Sequence, residues 1–387
     1  MQRRTGTAAL SIACRSTNGM VGSEEMGGRV HRPSGAGDLT DQLTSCRPAP
    51  ARYEKVTPVR IAVVGLGLIG GSVLRALAAR GHSVFGYDTD PATRAMARTA
   101  SAQAAHSARW QIAGALRDAV AGTDLVVCAT PLAAVGGVLD ELARSGYSGL
   151  VTDVTSVKSA VRDLVAARAH RFGRLAGFVG GHPMAGRETA GFAAADPDLF
   201  VGCAWVLCLE PGETDIGDWL TLASLITALG ARVVPTTAAE HDRAVARVSH
   251  VPHLLAVALA ARAATDPLAL TLAAGSFRDG TRVAASPAEL IAAMCGGNAE
   301  AVRAALDDVL VDLGAALAAL DAPEPIAALR EWVAAGHAAR TGWPAPPSEP
   351  VELPANPEVL LRLGRAGGWV TAIGADLRTV TAARPDS

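Results

Sequence analysis

Three groups of residues in this chain could do chemistry. The first is His182, within Gly180-Gly181-His182-Pro183-Met184-Ala185-Gly186. The glycines permit close approach of another molecule, and Pro183 restricts the backbone of the histidine before it. Such a histidine is either held for a purpose beyond filling a core or stands at the surface of a tight turn. The second group is Asp242, His250 and His253, along a stretch from Ala238 to Ala264 that reads as one long helix. At 100° per residue, Asp242 and His253 fall about 20° apart on the helix surface, and His250 and His253 form an i,i+3 pair. Pro252 lies between the histidines and should kink the helix, freeing a carbonyl near Val248. The group is a functional surface or a packing interface. No third ligand is suitably spaced, so no metal is expected. The third group is Arg278 and Arg282, in Gly275-Ser276-Phe277-Arg278-Asp279-Gly280-Thr281-Arg282, which reads as a Gly-punctuated loop. A guanidinium fork matches a carboxylate. The pair is a carboxylate clamp, or one arginine forms a salt bridge with Asp279.

The elements that must position these groups begin at Val59. Val59 to Val64 reads as a buried strand, followed by Gly65-Leu66-Gly67-Leu68-Ile69-Gly70-Gly71, a helical run to Arg80, a strand from Ser83 to Tyr87, and Asp88. This is the βαβ opening of a dinucleotide fold. Gly65 allows the tight turn, Gly67 lets backbone approach a pyrophosphate at the helix N-terminus, and Gly70 permits close helix–strand packing. Leu68 and Ile69 open that helix and join the expected cofactor contacts. The Asp88 carboxylate suits ribose hydroxyls and repels a 2′-phosphate, and Thr89, Asp90 and Pro91 supply no arginine beside it. NAD is therefore expected over NADP.

The alternation continues through strands at Asp124 to Ala129, Leu150 to Asp153, Ala176 to Val179, Trp205 to Leu209 and Arg232 to Val234. Ligands of open α/β sheets sit beyond the carboxyl ends of the strands. Thr130, Ser156 and His182 all follow such ends. Ser156 also suits an N-cap for the helix expected from Val157, a role compatible with substrate contact. After Pro235 the strands give way to alanine-rich helical patterns up to about Arg340.

The 387 residues suggest more than one domain, and half are hydrophobic, enough for sizeable cores. A net charge of −2 with no long basic run gives no case for a nucleic-acid partner. Six cysteines without a CxxC pair fit reduced thiols in the cytoplasm. No apolar run reads as long enough for a membrane span. The expected organisation is a disordered extension over 1–57, an α/β Rossmann-like NAD-binding domain over 58–236, an all-α domain over 237–340, and a Pro-rich linker with a short β-α-β tail over 341–387. In that tail, Val351 to Leu353, Pro357 to Arg365 and Gly374 to Ala382 are the candidate elements.

Five segments, Gly65–Gly71, Asp153-Val154-Thr155-Ser156-Val157-Lys158, Gly180–Gly186, Ser249-His250-Val251-Pro252-His253 and Gly275–Arg282, occur in this order. Together they resemble the prephenate dehydrogenase family, the prephenate or arogenate dehydrogenases of tyrosine biosynthesis. The resemblance covers roughly residues 59–338. It implies a Rossmann-like domain, a helical domain that dimerises, and an active site between them. It further implies that His182 is the catalytic histidine at the substrate's ring hydroxyl, with Ser156 near the same hydroxyl and the nicotinamide. Arg282 is implied as a carboxylate ligand, His250 and His253 as substrate-pocket histidines, and Glu188 and Asp242 as acids of a polar network. Arg278 aligns with a lysine of some members, and Ile291 stands where a tryptophan is common. The tail matches no complete ACT-type regulatory domain. The preference between prephenate and arogenate stays open.

Other classes fit less well. β-Hydroxyacid dehydrogenases also join a Rossmann domain to a helical one, but rely on a lysine there, and residues 236–340 contain none. A protein that senses NAD without turnover would not need His182, His253 and Arg282 together.

Overall fold

A parallel sheet forms around the first strand. The computed structural model describes residues 58–172, 177–187 and 189–386, so the expected extension over 1–57 and the candidate Glu188 lie outside the described residues. Strand β1 (Arg60–Val64) is flanked by β2 (Ser83–Tyr87) and β4 (Leu125–Cys128), both parallel to it. With β3 (Gln111–Ile112), β5 (Leu150–Asp153) and β6 (Phe178–Val179), the order is β3-β2-β1-β4-β5-β6. Helices α1 (Leu68–Ala79), α2 (Pro91–Gln103), α3 (Leu116–Val120), α4 (Leu132–Arg144) and α5 (Ser159–Phe172) alternate with these strands. Both faces of the sheet are covered: Ile61 and Val63 join one buried cluster, Ala62 and Val64 another. That is why these strands read as continuous apolar runs.

At Gly180 the chain leaves this sheet for a second one. Strand β7 (Gly181–Pro183) pairs antiparallel with β8 (Ala204–Cys208), placing His182 opposite Val206. Strand β8 runs parallel to β9 (Arg232–Thr236), with α6 (Ile216–Ala228) between them. The tail completes this sheet. Strands β10 (Val351–Pro354), β11 (Trp369–Ile373) and β12 (Thr379–Ala383) give the order β10-β12-β11-β9-β8-β7. The single strand expected over 374–382 is instead the turn and second arm of a hairpin. Gly374 N–H donates to the Thr379 carbonyl at 2.8 Å, and Leu377 takes a φ of 58° in the turn. The tail is therefore β-α-β-β, and Val370 joins it to Val233 of β9.

The helical half comprises α7 (Ala238–Val245), a π turn (Ala246–His250), α8 (Val251–Ala263), α9 (Pro267–Thr271), α10 (Gly275–Thr281), a 3₁₀ turn (Arg282–Ala285), α11 (Ala288–Gly296), α12 (Ala299–Leu320) and α13 (Pro325–Thr341). Thr237 and Glu240 form a capping box that fixes the start of α7. The helix does not break at Pro252. Its missing N–H is absorbed by the π turn, in which Val251 N–H reaches the Ala246 carbonyl. The expected loop at Gly275 is also helical, since neither glycine there takes a left-handed φ.

Ala238–Ala263 is therefore a continuous helical run of 26 residues, long and apolar enough to cross a membrane by length and composition, contrary to the sequence expectation. It also carries His241, Asp242 and His250, all buried and hydrogen-bonded inside the fold. Among the described residues, Cys128, Cys203, Cys208 and Cys295 are unpaired thiols.

Candidate active site

The glycine-rich turn is built to receive a phosphate. Gly65 has φ 94°, and a side chain there would run into the Ala129 carbonyl. Its N–H is held by the Tyr87 carbonyl at 2.8 Å. Gly67 precedes α1 with open space where a Cβ would stand, and as the N-cap residue it brings no side chain to cap the helix. The first-turn amides, including those of Leu68 and Ile69, are thus left to an anion. A Cβ on Gly70 would collide with the Gly65 carbonyl.

Two polar groups flank this turn. The Asp88 carboxylate accepts from Leu66 N–H at 2.7 Å and from Asp90 N–H at 2.9 Å, which locks it against the turn. Thr130 Oγ1, just past β4, is buried without a hydrogen-bond partner among the described residues. Such an orphan is expected where a bound ligand completes the shell. These residues fit a dinucleotide.

On the same carboxyl-end side of the sheet, β5 ends at Asp153 and β6 leads into β7, which carries His182. A buried ion pair joins the two strand ends. Lys158 Nζ contacts the Asp153 carboxylate and donates to Thr155 Oγ1 at 3.1 Å and to the Gly181 carbonyl at 2.6 Å. Asp153 also accepts from Gly181 N–H at 3.1 Å and from Thr155 N–H at 3.0 Å. Gly181 is required here, because a Cβ would lie 2.7 Å from the Asp153 carbonyl oxygen. Both partners are about 1 % exposed, so their charges are compensated by each other and by these bonds, with the Thr155 hydroxyl also donating to Asp153. The strand carrying His182 is held on both sides of its peptide.

His182 meets the helical half through a residue that motif reading passed over. Its Nδ1 lies 2.8 Å from His241 Nε2, with the rings edge to face at 5.1 Å. His241 Nδ1 lies 2.8 Å from Asp242 Oδ1. Asp242 in turn accepts from the backbone N–H groups of Lys158 and Ser159, each at 2.8 Å, and so caps α5 from another helix. Ser156 lies three residues ahead of the first residue of α5, too early for its N-cap, and is partly exposed. Burial pushes the Asp242 carboxyl up, but the His241 and amide hydrogen bonds outweigh it and hold the group at about 2. His182 is only partly exposed, and this desolvation pushes its imidazole well below the ordinary 6.5. The neighbouring His241, Lys158 and His250 add to the shift, and Asp242 opposes it. His182 is neutral near pH 7.

The other candidates divide. His253 is half-buried on α8, with Nδ1 bonded to the Ser249 carbonyl at 2.8 Å. His250 is 1 % exposed, and its Nδ1 faces the Asn298 amide at 3.3 Å. It belongs to the wall behind His241, and a substrate-contact role does not suit so closed a position. Arg278 and Asp279 are both exposed, 3.9 Å apart. Arg282 is exposed on the 3₁₀ turn packed along α8, the helix of His253. Ile291 is buried in α11. Asp153, Lys158 and His241 are the contributors that spacing alone did not single out. A hint existed in Lys158, since only Lys55 and Lys158 occur in the chain.

A parallel sheet with a glycine-rich turn after its first strand and a histidine just past the carboxyl end of its last, followed by a helical half, defines a dinucleotide-binding protein of the dehydrogenase type. Residues 73–235 match the model of the prephenate dehydrogenase nucleotide-binding domain, and residues 237–333 that of the prephenate dehydrogenase dimerization domain. The chain belongs to the prephenate dehydrogenase family.

It is 32% identical over 234 residues to a prephenate dehydrogenase of Lactococcus lactis, covering 58% of this chain and 61% of that protein. It is 31% identical over 263 residues to a cyclohexadienyl dehydrogenase of Zymomonas mobilis, covering 65% of this chain and 85% of that one. The structure of prephenate dehydrogenase from Aquifex aeolicus in complex with hydroxyphenyl propionate and NAD+ superposes with a TM-score of 0.65 at 25% identity, over 74% of this chain and 99% of that one. The chain spans about three fifths of the length of its Lactococcus lactis and Bacillus subtilis relatives.

Proposed function

We propose that this protein catalyses the NAD-dependent oxidative decarboxylation of prephenate to 4-hydroxyphenylpyruvate, a step of tyrosine biosynthesis. The observation that carries the reading is the partly exposed His182, set just past the carboxyl end of β6, on the side of the parallel sheet where β1 delivers the glycine-lined helix N-terminus.

Bound NAD supplies the hydride acceptor. The hydride leaves the carbinol carbon of the substrate, and the hydroxyl proton passes to His182. The bond to the ring carboxylate then breaks, its electron pair enters the ring, and CO2 departs. The phenolate oxygen recovers a proton from His182, so protons and electrons balance. Aromatisation drives the reaction. Ser156 stands near the reacting hydroxyl in this reading, and Asp88 and Thr130 hold the nucleotide with Gly65, Gly67, Leu68, Ile69 and Gly70.

Arg282 and His253 serve the substrate's carboxylates, with exposed Arg278 as an outer charge. His253 donates its Nδ1 hydrogen to the Ser249 carbonyl, which leaves Nε2 as its other polar atom. Asp242 acts behind His182, and Glu188 is assigned to the polar network by family resemblance alone.

The protein acts as a homodimer through its helical half. Leu259, Leu272, Leu310, Val311 and Leu317 are all more than half exposed there, an apolar surface that water disfavours. Its reduced thiols suit the cytoplasm.

The test is NADH formation on mixing the protein with prephenate or arogenate, each with NAD or NADP. Turnover of prephenate with NAD is expected. Turnover of arogenate alone would reassign the substrate to the amino analogue, and no turnover of either would overturn the reading.

A further inference from the structure

We propose that His241 and Asp242 form a proton-sharing chain behind His182, which keeps His182 Nε2 unprotonated before the reaction and shares the positive charge created by it. The proposal rests on His182 as proton acceptor.

The argument begins at Asp242. Its two oxygens accept backbone N–H groups from Lys158 and Ser159, so a proton on the carboxyl would face donors. Ionised, it can only accept, and the 2.8 Å contact to His241 therefore carries its hydrogen on His241 Nδ1. Burial disfavours a second proton on His241 and outweighs the Asp242 hydrogen bond that favours one, with the Lys158 ammonium adding to the burial. Its Nε2 then presents a lone pair, and the 2.8 Å contact to His182 carries its hydrogen on His182 Nδ1. The remaining ring nitrogen of His182 is left as the acceptor. The tautomer of the base is thus set by a carboxylate two hydrogen bonds away.

When His182 takes the hydroxyl proton on Nε2, its Nδ1 proton can move along the existing hydrogen bond to His241 Nε2. The imidazolium then lies against the Asp242 carboxylate. When the product oxygen recovers its proton, both transfers reverse, and no net proton is consumed. His241 and Asp242 are positioning residues: neither needs to touch substrate. Helix α7, which carries both, is fixed by its capping box, and Arg365 of the tail bonds Glu240 of that box at 2.7 Å.

The test is nitrogen NMR on the full chain labelled with 15N-histidine, with assignments from the His182→Asn and His241→Gln variants. His182 and His241 are both expected to carry the hydrogen on Nδ1. An Asp242→Asn side chain can turn its amide toward His241, reversing both tautomers, so kcat should fall about 100-fold or more. Asp242 also caps α5, so His241→Gln provides a variant that leaves that cap intact. Its amide oxygen can still accept from His182 Nδ1, so it should keep the His182 tautomer and retain more kcat than His241→Phe. A His182 protonated on Nε2 in the native protein would overturn the proposal. So would a His241→Phe variant with native kcat while His182→Asn is inactive, a result that leaves the base assignment standing. An active His182→Asn would instead remove the proposed function.

Discussion

His182 Nδ1 lies 2.8 Å from His241 Nε2, and through this contact the end of a strand meets the first helix of the second half of the molecule. The residues are 59 positions apart, and the sheet crossing at Gly180 and the short β9–α7 connection bring them together. Relative movement of the two halves would therefore be felt at the candidate base itself.

Replacement of His182 by Asn should lower kcat by about 100-fold or more, the scale of positioned acid–base catalysis. NAD affinity, measured by calorimetry, should not change, because the nucleotide turn lies on other strands. Retention of most of kcat would remove His182 from the chemistry.

The pH profile follows from the direction of the His182 shift. Burial, with His241, Lys158 and His250, depresses its affinity for a proton, and Asp242 only partly offsets them. The acid limb of kcat/KM should therefore lie below the ordinary 6.5, with a plateau from there to pH 8. A limb centred at or above that value would show that His182 is solvated in the working enzyme.

Lys158→Met should be among the most destabilising single changes. It leaves the Asp153 carboxylate buried without its cation, which costs about 3–5 kcal/mol. A melting temperature within a degree of the native value would mean that water replaces the ammonium. The double change with Asp153→Leu should recover part of the loss.

Arg282→Gln should raise KM for the substrate about tenfold or more, the loss expected for one charge-assisted hydrogen bond. Steady-state kinetics at saturating NAD would reveal it. An unchanged KM would direct the clamp role elsewhere.

Stability should fall as the solution is acidified from pH 6.5 toward 4. Burial, with His241 and His253, holds His250 down at about 4, while the unfolded chain keeps the ordinary 6.5. Between these values the unfolded state binds more protons, so the stabilisation is complete above 6.5 and is lost through that window. His182 and His241 act in the same direction. Melting temperatures of the native chain and a His250→Gln variant across this range would check it. A flatter profile in the variant is expected, and parallel profiles would exclude His250 as a contributor.

Local chemistry made much of this protein legible before any fold was known. The order of the βαβ opening follows from apolar runs and glycines acting over a few residues, and Ser83–Tyr87 forms a strand over the same span that its residues suggest. The Gly65 turn and the strand-end positions of Thr130 and His182 are equally local.

What failed was whatever depended on phase or distance. The wheel that set Asp242 beside His253 assumed an unbroken α-helix, whereas the π turn adds a residue and rotates everything beyond it by about 100°. Gly275–Arg282 became helical because it packs along α8, which outweighs the weak helix propensity of its glycines. The tail joined the second sheet because β9 offered an open edge to Val370. Periodicity tells which side of an element is apolar, but not which distant residue it will meet. The sequence by itself determined the nucleotide turn, the alternation of elements and the histidine set after a strand. The tertiary structure decided that Lys158 and Asp153 hold that strand and that His241 and Asp242 stand behind the histidine, because a hydrogen bond between distant residues exists only once the chain has closed around it.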